Sequence, residues 1–232
     1  MLLLEVITSS GLGSLLGMRH ALEPDHLAAV STLVTSERSS ARAAWLGACW
    51  GVGHTITLVT TGTALVFLRS EMPAAAADVF ELVVAVMLVG LGGRAIYQAA
   101  RQGPDGPARA HHHGRLVHVH PGVPAHIHVG RWTLARRPLL IGAVHGLAGS
   151  GALTALVLAT LPSTAARLTY MLLFGLGSTV GMAALSGVLG WPLGRLAGHP
   201  ALARGVTLAV GCASTVIGIA WGYPLVGRLL GS

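Results

Sequence analysis

Apolar residues in this chain come in long blocks separated by short polar punctuation, and the block lengths set the first expectation. A membrane-spanning helix needs roughly 20 mostly apolar residues. Five stretches meet that length: residues 43–68, 75–99, 138–161, 168–191 and 205–230. A sixth is irregular, being apolar over 2–18, polar over 19–26 and apolar again over 27–34. As one straight helix it would be about 50 Å long at 1.5 Å per residue, too long for a hydrocarbon core of about 30 Å. It must bend, break or run along an interface. Pro24 supplies the break, because it lacks a backbone donor and disfavours helical geometry at Glu23. The pattern predicts an all-α integral membrane protein of about six transmembrane helices, the first interrupted near Pro24.

Composition agrees with the pattern. The 232 residues are 53% hydrophobic and only 10% charged, against roughly 25% charged in an average soluble domain. Hydrophobicity excludes disorder, and two distant cysteines, Cys49 and Cys212, cannot build a secreted disulfide scaffold. All fifteen basic residues are arginines and the net charge is +7. They stand singly between apolar stretches, as markers of a cytoplasmic face do, so a lipid bilayer and not a nucleic acid is the expected partner. With the N-terminus outside, Arg38, Arg42, the seven arginines between residues 94 and 137, Arg195 and Arg204 all fall inside. Only Arg69, Arg167 and Arg228 fall outside. The expectation is a multi-pass protein of the cytoplasmic (inner) membrane, N-out and C-out, with the central loop cytoplasmic. No positive leader or small-residue cleavage site precedes the first apolar run, so a removed signal peptide is not expected.

The two halves of the chain resemble each other. Arg19-His20-Ala21-Leu22 opens the polar break of the first segment, and Val144-His145-Gly146-Leu147 holds the matching place in the fourth. Further along, Gly51-Val52-Gly53-His54-Thr55-Ile56 answers to Gly175-Leu176-Gly177-Ser178-Thr179-Val180. Chance likeness between apolar segments is the alternative. A genuine repeat has three spans per unit, which forces the second unit to enter the membrane inverted. Inverted repeats with interrupted helices are a transporter architecture, with the site at the repeat interface. The expected organisation is residues 1–100 as the first three-helix repeat, 101–136 as a loop, and 137–232 as the second repeat.

The sharpest local feature is His20-Ala21-Leu22-Glu23-Pro24-Asp25-His26. Charged groups within a bilayer cost of order 3 kcal/mol each on insertion scales and are kept for function. On an unbroken helix His20 and His26 would lie about 240° apart and could not face one ion. With the helix interrupted at Glu23-Pro24, His20 reaches the gap from one side, and Asp25 and His26 from the other. That is half a site for a divalent cation, and His54 is the natural completion. Gly47, Gly51 and His54 share one helix face with little side-chain bulk, which lets backbones approach closely and would set the imidazole against the broken segment. The bland alternative is a lone histidine donating to a nearby carbonyl. Imidazoles with a carboxylate and no thiolate suit nickel, cobalt, zinc or copper(II) better than magnesium or calcium. Cys49 lies about 140° around the helix from His54 and is left outside the ligand set. Arg19 is expected to pair with Glu23 one turn on or to neutralise Asp25 when no cation is bound. His145 opens a glycine-rich run, Gly146-Leu147-Ala148-Gly149-Ser150-Gly151, that lacks the Lys-Ser/Thr ending of a phosphate loop. It reads as a flexible or broken stretch. His145, Thr55 and Ser178, with Arg19 and Glu23, are expected to line the pathway or support the ligands.

The central loop carries His111, His112, His113, His118, His120, His126 and His128. Histidine tracts are compositional metal binders, and the alternate spacing of His118/His120 and His126/His128 puts paired imidazoles on one side of an extended chain. A flexible metal-buffering loop is expected here in preference to a folded zinc site, since no cysteine fixes a geometry. A solvated linker whose histidines do nothing is the alternative.

His20 followed after four residues by Asp25-His26 within a membrane segment, and then Gly-x-Gly-His54-Thr in the next, resembles the NiCoT family of nickel/cobalt transporters, especially its shorter urease-associated branch. The likeness is strong over residues 15–62 and mainly topological elsewhere. It implies that His20, Asp25, His26 and His54 recognise the metal, that Ni2+ or Co2+ is cargo with no permanently bound cofactor, and that cytoplasmic nickel chaperones or urease maturation proteins are partners. Larger members have eight spans with both ends cytoplasmic. This chain looks like six, as if an initial and a terminal span were missing.

Import of Ni2+ or Co2+ by a non-enzymatic secondary transporter is therefore the leading expectation, and metal efflux the alternative within transport. A membrane thiol-disulfide carrier would need two cysteines able to meet, and Cys49 and Cys212 sit on non-equivalent helices. A membrane metalloprotease would need His-Glu-x-x-His, which is absent.

Overall fold

The computed structural model describes residues 2–35, 37, 39–68, 70–101, 110–113, 116–119, 126–129, 132–161, 163–196 and 199–231. Helices α1 (Leu2–His20), α2 (Pro24–Val34), α3 (Ser40–Leu68) and α4 (Ala74–Arg101) precede the central loop, and α5 (Arg136–Thr160), α6 (Thr164–Arg195) and α7 (Pro200–Leu230) follow it. Five of them, α3 to α7, are long and apolar enough to cross a membrane, and they cover the five expected stretches. α6 runs through Pro192 to Arg195 instead of stopping at Trp191. α7 begins before residue 205, with Pro200 in its first turn, where proline's fixed φ suits helix initiation and its missing N–H costs nothing.

The first apolar segment is interrupted as expected. α1 stops at His20, Leu22 N–H donates to the Arg19 carbonyl (2.9 Å) and Glu23 N–H to that of His20 (3.0 Å). Glu23 is extended (φ −64°, ψ 148°) and Pro24 opens α2. These tight turns keep the backbone hydrogen-bonded through the break, which a non-helical stretch at membrane depth requires. α2 is then largely buried, its Ala28, Ala29, Val30 and Val34 joining Trp50, Leu88 and Met182 in one apolar core. Outward faces carry exposed Val86, Val188, Val216 and Tyr223, as lipid contact demands.

Side-chain-free positions fix how the helices run. An added Cβ at Gly13 would meet Tyr170, and one at Gly17 would overlap Phe174, so α1 and α6 lie side by side in the same direction. The Ser40 hydroxyl donates to Gly187 (2.6 Å) and that of Thr55 to Gly175 (2.7 Å), so α3 runs against α6. Gly142 abuts Trp50 and Gly146 abuts His54, which makes α5 parallel to α3. α4 and α7 are antiparallel, with Ser214 donating to the Leu88 carbonyl at 2.9 Å and Arg228 paired with Asp78 at 2.8 Å. The start of α1 and the end of α7 therefore share one end of the bundle, and the connection from α4 to α5 lies at the other. The approaches also fall in pairs: Gly17 at Phe174 with Gly142 at Trp50, and Gly53 at Leu139 with Gly177 at Ser14. In the register that aligns His20 with His145 and His54 with Ser178, each member of a pair is the counterpart of the other.

Only short pieces of the central loop are among the described residues. Backbone pairing forms two antiparallel hairpins, β1 (Ala110–His113) with β2 (Leu116–Val119) and β3 (His126–Val129) with β4 (Trp132–Ala135). His111 pairs in register with His118. His120 and Arg38, Arg69, Arg109, Arg115 and Arg131 lie outside the described residues.

Candidate metal centre

The break between α1 and α2 meets the middles of α3 and α5, and four histidines converge there. Ring centroids are 4.4 Å apart for His20 and His26, 5.3 Å for His20 and His54, and 5.4 Å for His26 and His54. His145 stands 4.7 Å from His26. His26, His54 and His145 are almost fully buried. Phe174 flanks His20 at 5.2 Å, and Trp50 flanks His26 at 5.4 Å and His145 at 5.6 Å. Burial and the aromatic flanks keep these rings away from bulk water, which strengthens any ion–ligand interaction among them.

Carboxylates decide which ring nitrogens are free. His20 Nδ1 lies 3.0 Å from Glu23 Oε1, and because a carboxylate can only accept, His26 donates Nδ1–H to Asp25 Oδ1 (3.1 Å). His145 donates Nε2–H to Asp25 Oδ2 (3.2 Å). A neutral imidazole that donates from one nitrogen offers a lone pair on the other. The nitrogens so released, His20 Nε2, His26 Nε2 and His145 Nδ1, have no hydrogen-bond partner, and neither has either nitrogen of His54. A buried polar atom left unpaired costs about 1–3 kcal/mol. Orphaned lone pairs gathered in one pocket are therefore a donor set suited to a borderline-soft dication. Gly149 keeps the space open: a Cβ there would lie 3.9 Å from His20 Nε2 and 4.0 Å from His54 Cε1.

Ligand atoms fall into two overlapping sets, each within 4.8 Å: His20, His26 and His54, and Asp25, His26 and His145. The structure thus brings His20, His26 and His54 together as the spacing suggested. It places Asp25 beside His26 and His145 and not within the set of His20 and His54. His145 was undervalued in sequence because a glycine-rich run looks like loop, although its register with His20 was the available signal. Arg19 is exposed, and the carboxylates it was expected to meet are engaged otherwise, Glu23 by His20 and Asp25 by His26 and His145. Thr55 bonds Gly175 and the Thr179 hydroxyl (2.9 Å), joining α3 to α6. Ser178 is fully buried with its hydroxyl unpartnered. Gly47 and Gly51 pack on Ser186 and Thr179 of α6 and not on the broken segment, since a bulk-free face invites a close neighbour without specifying which. Cys49 and Cys212 are free thiols, and neither joins a ligand set among the described residues.

These elements define a multi-pass membrane protein with an imidazole-lined pocket at the break of a discontinuous helix. The family model described as NicO, high-affinity nickel-transport protein, matches residues 6–226. The chain belongs to that family. It is 33% identical over 223 residues to the urease accessory protein UreH of Bacillus sp. (strain TB-90), covering 96% of this chain and 92% of that one. It is 28% identical over 189 residues to the chloroplast protein FOR GROWTH AND FERTILITY 1 of Arabidopsis thaliana, and 26% identical over 188 residues to FOR GROWTH AND FERTILITY 2. Those matches cover 79% and 80% of this chain but only 50% and 48% of the relatives. No solved structure matches.

Proposed function

We propose that this chain is a secondary transporter that imports Ni2+, and Co2+ as a closely related cargo, across the cytoplasmic membrane. One observation carries the reading: three imidazoles from separate stretches of chain, with free lone pairs, meet at a helix break inside the membrane bundle. The dication sheds water onto His20, His26 and His54, while Asp25 holds the tautomer of His26 as carboxylates do for metal-bound histidines. α1 presents its C-terminal end to the pocket, whose partial negative charge favours a cation.

Direction follows from charge. Arginines concentrate at the loop end of the bundle, which the positive-inside rule makes cytoplasmic. A membrane potential, negative inside, then favours inward movement by about 2.3 kcal/mol per charge per 100 mV, twice that for a dication. The paired glycine contacts support two inverted three-helix units, residues 1–100 and 137–232, rocking about the site. Residues 101–136, with their histidines, receive the ion inside, and a relative named as a urease accessory protein supports onward delivery to urease maturation proteins or nickel chaperones. Cells expressing His20→Ala should accumulate less than a tenth of the wild-type radioactive nickel while keeping the protein in the membrane. Undiminished uptake by that variant overturns the assignment.

A further inference from the structure

Resting on that reading, we infer that the pocket holds two successive stations for one divalent cation, with His26 common to both and His145 the ligand that draws the ion from the first to the second. The first station is His20, His26 and His54; the second is Asp25, His26 and His145.

Three observations lead there. The sets share one residue, so an ion can change partners without being released: bonds to His20 and His54 break as bonds to Asp25 and His145 form, and His26 stays. For that exchange the His145 Nε2–H bond to Asp25 opens and its proton moves to the unpartnered Nδ1, while His26 keeps Nδ1–H on Asp25 and ligates through Nε2; the rings stay neutral and no electron moves. The stations also differ in charge. The first has no carboxylate among its three members, and the second has the Asp25 carboxylate between His26 and His145. A dication therefore gains Coulomb attraction as it moves to the second station.

The order along the bundle matches. His20 closes the helix arriving from the end that holds both termini, whereas Asp25 and His26 open the helix leaving toward the loop end. Ligand atoms within each set lie within 4.8 Å of one another, and among the described residues no set within that distance joins His20 or His54 to Asp25 or His145.

His145→Gln tests this, since the amide can still donate to Asp25 but is a poor nickel ligand. Purified protein in nanodiscs is titrated with Ni2+, and the same protein in proteoliposomes is assayed for uptake under an inside-negative potential. The expected result is Ni2+ still bound but more weakly, because only the first station remains, with uptake reduced 10- to 100-fold, the range typical when support of a metal is lost. Uptake at the wild-type rate overturns the relay, because a merely structural His145 is replaced by Gln. Complete loss of Ni2+ binding also overturns it, because the first station alone should still hold the ion. A second arm uses His20→Ala/His54→Ala, which should still bind one Ni2+ with a carboxylate in its X-ray absorption spectrum, and lose it when His145→Gln is added. A wild-type protein that neither binds nor moves Ni2+ would instead sink the transport reading itself.

Discussion

At the residue scale, the proposed function depends on imidazoles staying neutral. His20, His26 and His54 offer unpaired ring nitrogens, and a proton on such a nitrogen occupies the lone pair a metal would use. Protons and metal therefore compete for the same atoms, and Ni2+ affinity should fall as pH is lowered. Calorimetric titration at descending pH should show a progressive loss, and affinity independent of pH would argue against histidine ligation. Gly149 offers a steric test. Its missing side chain leaves the space beside His20 Nε2 and His54. Gly149→Leu should therefore abolish Ni2+ binding, whereas Gly149→Ala, at ordinary contact distance, should reduce it only severalfold. His20, Asp25, His26 and His54 were legible because polar groups in an apolar run need a reason. His145 was half-hidden, because its partner Asp25 lies 120 residues away and no local pattern joins them.

Between elements, glycine sets the distances. Gly17 on α1 and Gly142 on α5 each meet the backbone of a neighbour, at Phe174 and Trp50 respectively. Overpacking a tight contact typically costs 1–3 kcal/mol. Gly17→Leu and Gly142→Leu should each destabilise the detergent-solubilised protein by about that much or more, seen as a drop in thermal midpoint of several degrees. Similar losses from both support equivalent repeats, and a loss confined to one counts against them. The interrupted first helix was readable from Pro24 and from length. Gly47 and Gly51 were readable as a contact face, but their partner was not: periodicity tells which side of a helix is bare, and packing alone tells that α6 fills it.

For the molecule as a whole, growth tests the proposed inward direction. Overexpression should sensitise cells to nickel if the ion is driven inward, and protect them if it is driven out. Replacing the seven loop histidines by alanine should leave Ni2+ affinity of the purified bundle unchanged within about threefold, because the pocket lies between helices. A large loss would place the binding site in the loop.

The sequence by itself determined the membrane class, the approximate limits of five long apolar spans, the break at Pro24 and the candidacy of the first three imidazoles. All of these follow from local composition and spacing, which act within a few helical turns. Only the tertiary structure decided that Asp25 faces His26 and His145, that Arg19 stands aside, that the bare face of α3 meets α6, and that the candidate ligand atoms divide into two sets sharing His26. Such facts depend on which helices become neighbours. That choice is made by the fit of small residues across helix interfaces summed over the whole bundle, a quantity no single stretch of sequence carries.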